Sequence, residues 1–183
     1  MKYITALILY CILSVFSAKM SRAQDGISAS HSISYTIPHV AMVDIEGGSN
    51  VNLDLSTPTD AGLGMEASAT NSSLWLNYSS TTNPSATNSV KVKVDALVPG
   101  INIRVTAAAD ANGGIGTTGS PSSVLTLQIT DQNLINNIGT CYTGDGINKG
   151  HNITYSMVTT SYNLIKYEAS PSPITITYTI TNN

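Results

Sequence analysis

The sequence predicts an all-β protein, a single antiparallel β-sandwich with Greek-key connections. Three observations carry that expectation. Apolar and polar residues alternate with period two in run after run, as strands with one buried face require. Clusters of Gly, Pro, Asn and Asp separate the runs. No segment keeps a convincing helical period. Composition agrees: 42% hydrophobic and only 10% charged residues are too few charges for a coiled coil and too much apolar content for disorder.

Met1 to Ala23 reads as a cleaved secretory signal peptide. Lys2 supplies the positive start, Ile4 to Phe16 the apolar stretch, and Ser21 and Ala23 the small residues before a cleavage site. The apolar stretch is shorter than the ~20 residues of a membrane helix. The expected mature domain is therefore 24–183, with no membrane span, placed in a periplasm, on an outer surface or outside the cell. It keeps five Lys and Arg against eleven Asp and Glu, a formal charge of −6. That balance disfavours a nucleic-acid partner, which needs clustered cations. Cys141 is the one cysteine beyond the leader, so no disulfide forms within the mature chain. A core must hold the fold unaided, and ~160 residues bury enough surface for one.

Alternation predicts the strands in order. Ile27, Ala29, His31, Ile33, Tyr35 and Ile37 alternate with serines and Thr36 until Pro38. Runs follow at Val51–Leu55, Leu74–Tyr78, Val90–Val94, Ile101–Val105, Leu125–Ile129, Ile153–Met157 and Ile174–Ile180. Leu134, Ile135 and Ile138 fit either a short helical turn or a small strand. Turns are expected at Glu46–Asn50, Val98–Gly100 and the glycine-rich Asp110–Pro121. Eight to ten half-buried strands must hide their apolar faces on a second sheet.

Both ends of the mature chain lack charge. No Lys, Arg, Asp or Glu occurs between Asp25 and Asp44, nor after Glu168. Sheet edges are normally blunted by Lys or Pro, so uncharged alternating strands are expected to be paired on both sides. They either sit inside the sandwich, or the N-terminal strand completes a neighbouring molecule by strand addition. The leader, the Ile27–Ile37 segment, the Ser/Thr/Asn-rich middle and the ending Ile174-Thr-Ile-Thr-Tyr-Thr-Ile-Thr-Asn-Asn183 together resemble bacterial pilin-type and related secreted surface β-sandwiches. That resemblance implies an immunoglobulin-like or pilin-like domain working as a subunit of a surface structure such as a fimbrium. Many pilins carry a subunit disulfide, which this chain lacks.

The expected function is that of a secreted or cell-surface structural or adhesive subunit rather than an enzyme. Its partner is a further copy or another surface protein, with Ile27, Ile33, Tyr35 and Ile37 as the side chains that plug a neighbour's groove. The alternative is a stand-alone carbohydrate- or ligand-binding module. With Leu74, Leu76 and Tyr78 facing inward, Trp75 and Asn77 face outward, where an indole beside an amide suits a sugar ring; equally, the pattern fits Trp75 as core in a central strand buried on both faces. Loops 56–72 and 107–122 would add to that platform.

Other chemistry has little support in the residue pattern, and no cofactor is expected. His31, His39 and His151 lack metal-ligand spacing; His31 falls on the apolar face of its run, as a satisfied or rim histidine. Asp110–Gly114 and Asp145–Asn148 supply oxygens in turns but not a calcium-loop pattern. Cys141, Asp145 and His151 share one segment without a protease signature. Asp44 and Glu46 fall on one face of an extended segment beside a Gly-Gly turn, where acids commonly decorate turns.

Overall fold

The computed structural model describes residues 27–67, 70–168 and 173–182 of the 183-residue chain, and the expected leader lies outside them. The described residues form thirteen strands. They are β1 (Ala41–Glu46), β2 (Leu55–Ser56), β3 (Glu66–Ala67), β4 (Asn71–Ser80), β5 (Asn88–Val94), β6 (Ile101–Asp110), β7 (Ile115–Gly116), β8 (Ser120–Pro121), β9 (Leu125–Thr126), β10 (Gln132–Ile138), β11 (Cys141–Tyr142), β12 (His151–Thr159) and β13 (Ile176–Asn182). A 3-10 turn covers Tyr162–Leu164.

Every pairing is antiparallel. The larger sheet runs β7-β11-β4-β12-β6-β9, and β1 lies on the other side of β4, with Ala41 opposite Ser80 and Glu46 opposite Trp75. The smaller sheet runs β13-β5-β10-β8, while β2 and β3 form a separate two-stranded ribbon. The sheets do not close into a barrel; they stack as a β-sandwich. Consecutive long strands alternate between the two sheets, from β4 to β5 to β6, so the core assembles from contacts distant in sequence.

Side-chain parity explains that core. Leu74, Leu76 and Tyr78 of β4, Val90, Val92 and Val94 of β5, Val105 and Ala107 of β6, and Ile153 and Tyr155 of β12 are all buried and pack in one cluster. Each fully buried aliphatic side chain contributes about 1.5–3 kcal/mol, so this cluster dominates stability. The Lys93–Asp131 ion pair, at 3.5 Å with both partners nearly half exposed, adds little in comparison.

Several expectations need correction. The Ile27–Ile37 run belongs to no sheet. Of Val51–Leu55 only Leu55 enters a strand, although Val51 and Leu53 still pack on the core. Of Leu125–Ile129 only the first two residues form a strand, while the Leu127 amide donates to the Ile103 carbonyl at 2.8 Å and the Gln128 carbonyl accepts from the Val94 amide at 2.9 Å. The stretch Ala41–Glu46, which the alternation of apolar runs did not single out, is a six-residue strand, and the glycine-rich Asp110–Pro121 supplies the short β7 and β8. The Leu134–Ile138 ambiguity resolves as strand β10. Its register slips at Asn133/Ile135 and again at Ile135/Ile138, and Asn137 takes φ +57°. Those bulges bury Leu134, Ile135 and Ile138 together, which mimics helical spacing in the sequence.

Candidate functional site

The open edges of the sandwich follow from the strand order. Four lie at the ends of the two sheets' main paths. Those at β7, β8 and β9 are two residues long, and β8 ends in proline. A fifth, β1, is longer but carries Asp44 and Glu46. These are the devices that protect natural edges from pairing with other chains. The fourth path end, β13, is different. It spans seven residues, Ile-Thr-Tyr-Thr-Ile-Thr-Asn, has no charge and no proline, and among the described residues pairs only with β5, from Ile176 opposite Val94 to Asn182 opposite Asn88. Within the chain, and among the described residues, the C-terminal strand is thus paired on one side only. The strand is held in place at its start: the Asp95 amide donates to the Thr175 carbonyl at 3.0 Å, and the Thr175 amide donates to Asp95 Oδ1 at 2.8 Å. That second bond holds the Asp95 carboxyl below its ordinary pKa.

The inward face of β13 is incompletely covered. Ile176, Tyr178 and Ile180 pack against the core but stay part exposed, as do Val43 and Ile45 of β1, and β1 and β13 contact each other on this side of the sandwich. The Tyr178 hydroxyl meets that of Tyr155, so one hydrogen bond joins the two sheets here. Burial pushes the pKa of both phenols up.

The four proposed plug residues are a separate feature of the chain. Ile27, Ile33, Tyr35 and Ile37 are 110%, 80%, 83% and 72% exposed. A segment with strand parity and largely exposed apolar side chains is unusual in a globular fold. His31 and His39 are likewise exposed.

The alternative platform is only half assembled. Trp75 faces outward and is half-buried, flanked in register by Glu46 on β1 and Asn152 on β12. Asn77 faces the same way but is 4% exposed, because the 144–150 loop covers it and its amide donates to the Gly146 carbonyl at 2.9 Å. A buried amide engaged in this way does not present itself to a ligand lying on that face. A cavity of about 210 Å³ lined by Val98, Ile101, Ile103, Leu127, Gln128 and Thr160 is smaller than the ~300–1,000 Å³ of typical ligand pockets.

The remaining chemical candidates resolve into structural roles. Cys141 is 7% exposed, and burial pushes its thiol up to about 11. His151 is fully buried. Its Nδ1–H donates to the Ala108 carbonyl at 2.8 Å, and Nε2 pairs with the Tyr78 hydroxyl at 2.7 Å. Both ring nitrogens are therefore engaged away from the sulfur, and Asp145 is exposed in the loop. The Tyr78 hydroxyl also meets the Thr118 carbonyl, so its single proton is shared between that oxygen and Nε2, and this trio ties β4, β12 and the 117–119 turn together. In the two acidic turns, Asn112 and Asn148 take φ +57° and +63°, the left-handed conformation Asn tolerates in turns. Asp44 and Glu46 share the exposed outer face of β1, where Asp44 accepts the Ile45 amide at 2.8 Å. Among the described residues no three His, Cys, Asp or Glu side chains converge on a point.

Comparison of the chain with protein-family models, curated proteins and solved structures finds no match.

Proposed function

We propose that this protein is a secreted or cell-surface structural subunit that assembles with further copies, or with another surface protein, by strand addition. The observation that carries the reading is the Ile27–Ile37 segment. It has strand parity and no charge, and its apolar side chains stand in water while it belongs to no sheet. Exposing four large apolar groups is costly unless a partner covers them. The leader supports secretion, and the uncharged alternating ends support main-chain pairing as the means of assembly.

Native protein taken from its own cells and run on SDS gels without boiling tests this reading. A ladder of multiples that collapses to a single subunit on boiling is the expected result. A single monomer band in both lanes, with a monomer mass by light scattering, overturns it.

A second reading, glycan binding on the outer face of the larger sheet, is favoured by one observation, the cross-strand row Glu46–Trp75–Asn152. Quenching or enhancement of Trp75 fluorescence on titration with oligosaccharides supports it, and a flat titration across a glycan panel removes it.

A further inference from the structure

We infer that the sugar taken by the outer face of the larger sheet is an amino sugar with a free ammonium group, stacked on Trp75 and paired with the carboxylates of Glu46 and Asp44. This rests on the glycan reading, the second of the two above, and adds the class of sugar and the groups that select it.

Register places those groups. Glu46 lies opposite Trp75 on one side and Asn152 on the other, so the two straddle the indole across three strands, about 10 Å apart at the strand spacing. Parity turns all three side chains to one face, and all three are part exposed. Asp44, two residues from Glu46 on the same face, is exposed opposite Asn77. Asp145 is exposed in the loop that covers Asn77.

The row is free to meet a ligand. Asn152 Nδ2 donates to the Ser72 carbonyl at 2.9 Å and to the Leu74 carbonyl at 3.2 Å. Both bonds fix the amide through its nitrogen and leave Oδ1 as an acceptor. Glu46 has no cation beside it, since among the described residues the one ion pair is Lys93–Asp131. Lys91 and Lys93 belong to β5 in the other sheet. The Lys149 stem packs against Gly113 and Gly144, and Lys166 lies beyond the 3-10 turn. Arg104 stands opposite Ser156, about 14 Å along β12 from Asn152 at the strand rise.

Charge complementarity then selects the ligand. A pyranose can lay its apolar face on an indole. An ammonium on that ring is drawn both to the negative face of the indole and to the Glu46 carboxylate, while the ring hydroxyls donate to Asn152 Oδ1. An acidic sugar would set its carboxylate against Glu46 and Asp44, and a neutral sugar leaves both unanswered. Oligolysine answers the charge without a sugar ring, which makes it the discriminating probe.

Trp75 is the one tryptophan of the chain, so its fluorescence reads the site. The protein is titrated at mildly acidic pH with a glucosamine oligomer, its N-acetylated counterpart, a neutral gluco-oligosaccharide, a uronic-acid oligomer and oligolysine. The titrations are repeated on the double variant Asp44→Asn with Glu46→Gln, which removes both charges and keeps both shapes.

The expected result is saturable binding of the glucosamine oligomer, about threefold to tenfold tighter than its N-acetylated counterpart, the range of one or two exposed ion pairs. The preference weakens with added salt and is lost in the double variant. N-acetylated, neutral or acidic sugars binding as tightly, or a preference that survives in the double variant, overturn the inference while the glycan reading stands. Oligolysine matching the glucosamine oligomer in affinity and in its Trp75 response overturns a sugar as the ligand. A flat titration with every sugar overturns both the inference and the reading beneath it.

Discussion

The hydroxyl pair of Tyr155 and Tyr178 crosses the interior between the larger and the smaller sheet, and its removal tests how β13 is held. Tyr155 is 2% exposed, and the Tyr178 hydroxyl is its hydrogen-bond partner. Tyr178→Phe leaves the Tyr155 hydroxyl buried and unpaired, at a cost of about 2 kcal/mol within the ~1–3 kcal/mol range for such orphans. For a domain of this size that lowers Tm by roughly 4–8 °C. Replacing both residues with Phe removes donor and acceptor together and is expected to cost far less than the two single changes summed. The same pair contributes to alkaline stability, beside buried Tyr78 and Cys141, whose pKa values burial also raises. Burial raises both phenols above their ordinary value of 10.0, so above pH 10 the unfolded chain releases protons that the folded chain keeps. Stability is fully present below pH 10 and falls as pH rises further, by at most about 1.4 kcal/mol per pH unit for each such tyrosine. The double Phe variant therefore has a shallower alkaline slope. Urea unfolding followed through Trp75, the one tryptophan of the chain, at pH 7 and between pH 10 and 11, measures both effects. A double variant as destabilised as the sum of the singles, or an unchanged alkaline slope, would refute the reasoning.

Further outcomes follow from the core and its turns. Leu76→Ala, at a fully buried centre of β4, is expected to cost about 2–5 kcal/mol in chemical denaturation; a loss below ~1 kcal/mol would mean the site collapses freely. Gly150→Ala places a Cβ 2.2 Å from the Leu76 carbonyl oxygen at φ +63°, so it should destabilise by more than ~1 kcal/mol, visible as a lower urea midpoint. Native Cys141, with its thiol pushed up to about 11, is expected to resist a thiol reagent at pH 7 and to react after denaturation; rapid native labelling contradicts its burial. Lys93→Ala should change stability by no more than ~0.5 kcal/mol in the same assay, since its ion pair is solvated.

Much of the sandwich was legible because side-chain parity is local. Leu74, Leu76 and Tyr78 alternate in the sequence and are buried in the structure, and the same holds for Val90–Val94 and Ile153–Tyr155. The Leu134–Ile138 run was ambiguous because bulges break parity without leaving a distinct residue signature. Trp75 and Asn77 share one face of β4, as alternation requires, but burial of Asn77 depends on Gly146, 69 residues away. No local signal reports a loop folding back over that distance. The Tyr78–His151 and Tyr155–Tyr178 hydrogen bonds were missed for the same reason.

Ile27–Ile37 and Ile176–Asn182 divide what each level decides. Both alternate without charge, and the sequence by itself determined that each is suited to bury one face in a sheet. Only the tertiary structure decided that, among the described residues, the second lies on a sheet edge with one partner and the first in no sheet. Parity is a property of a single strand, whereas an edge is defined by the strand that is missing beside it, and pairing is set by contacts between residues far apart in the chain.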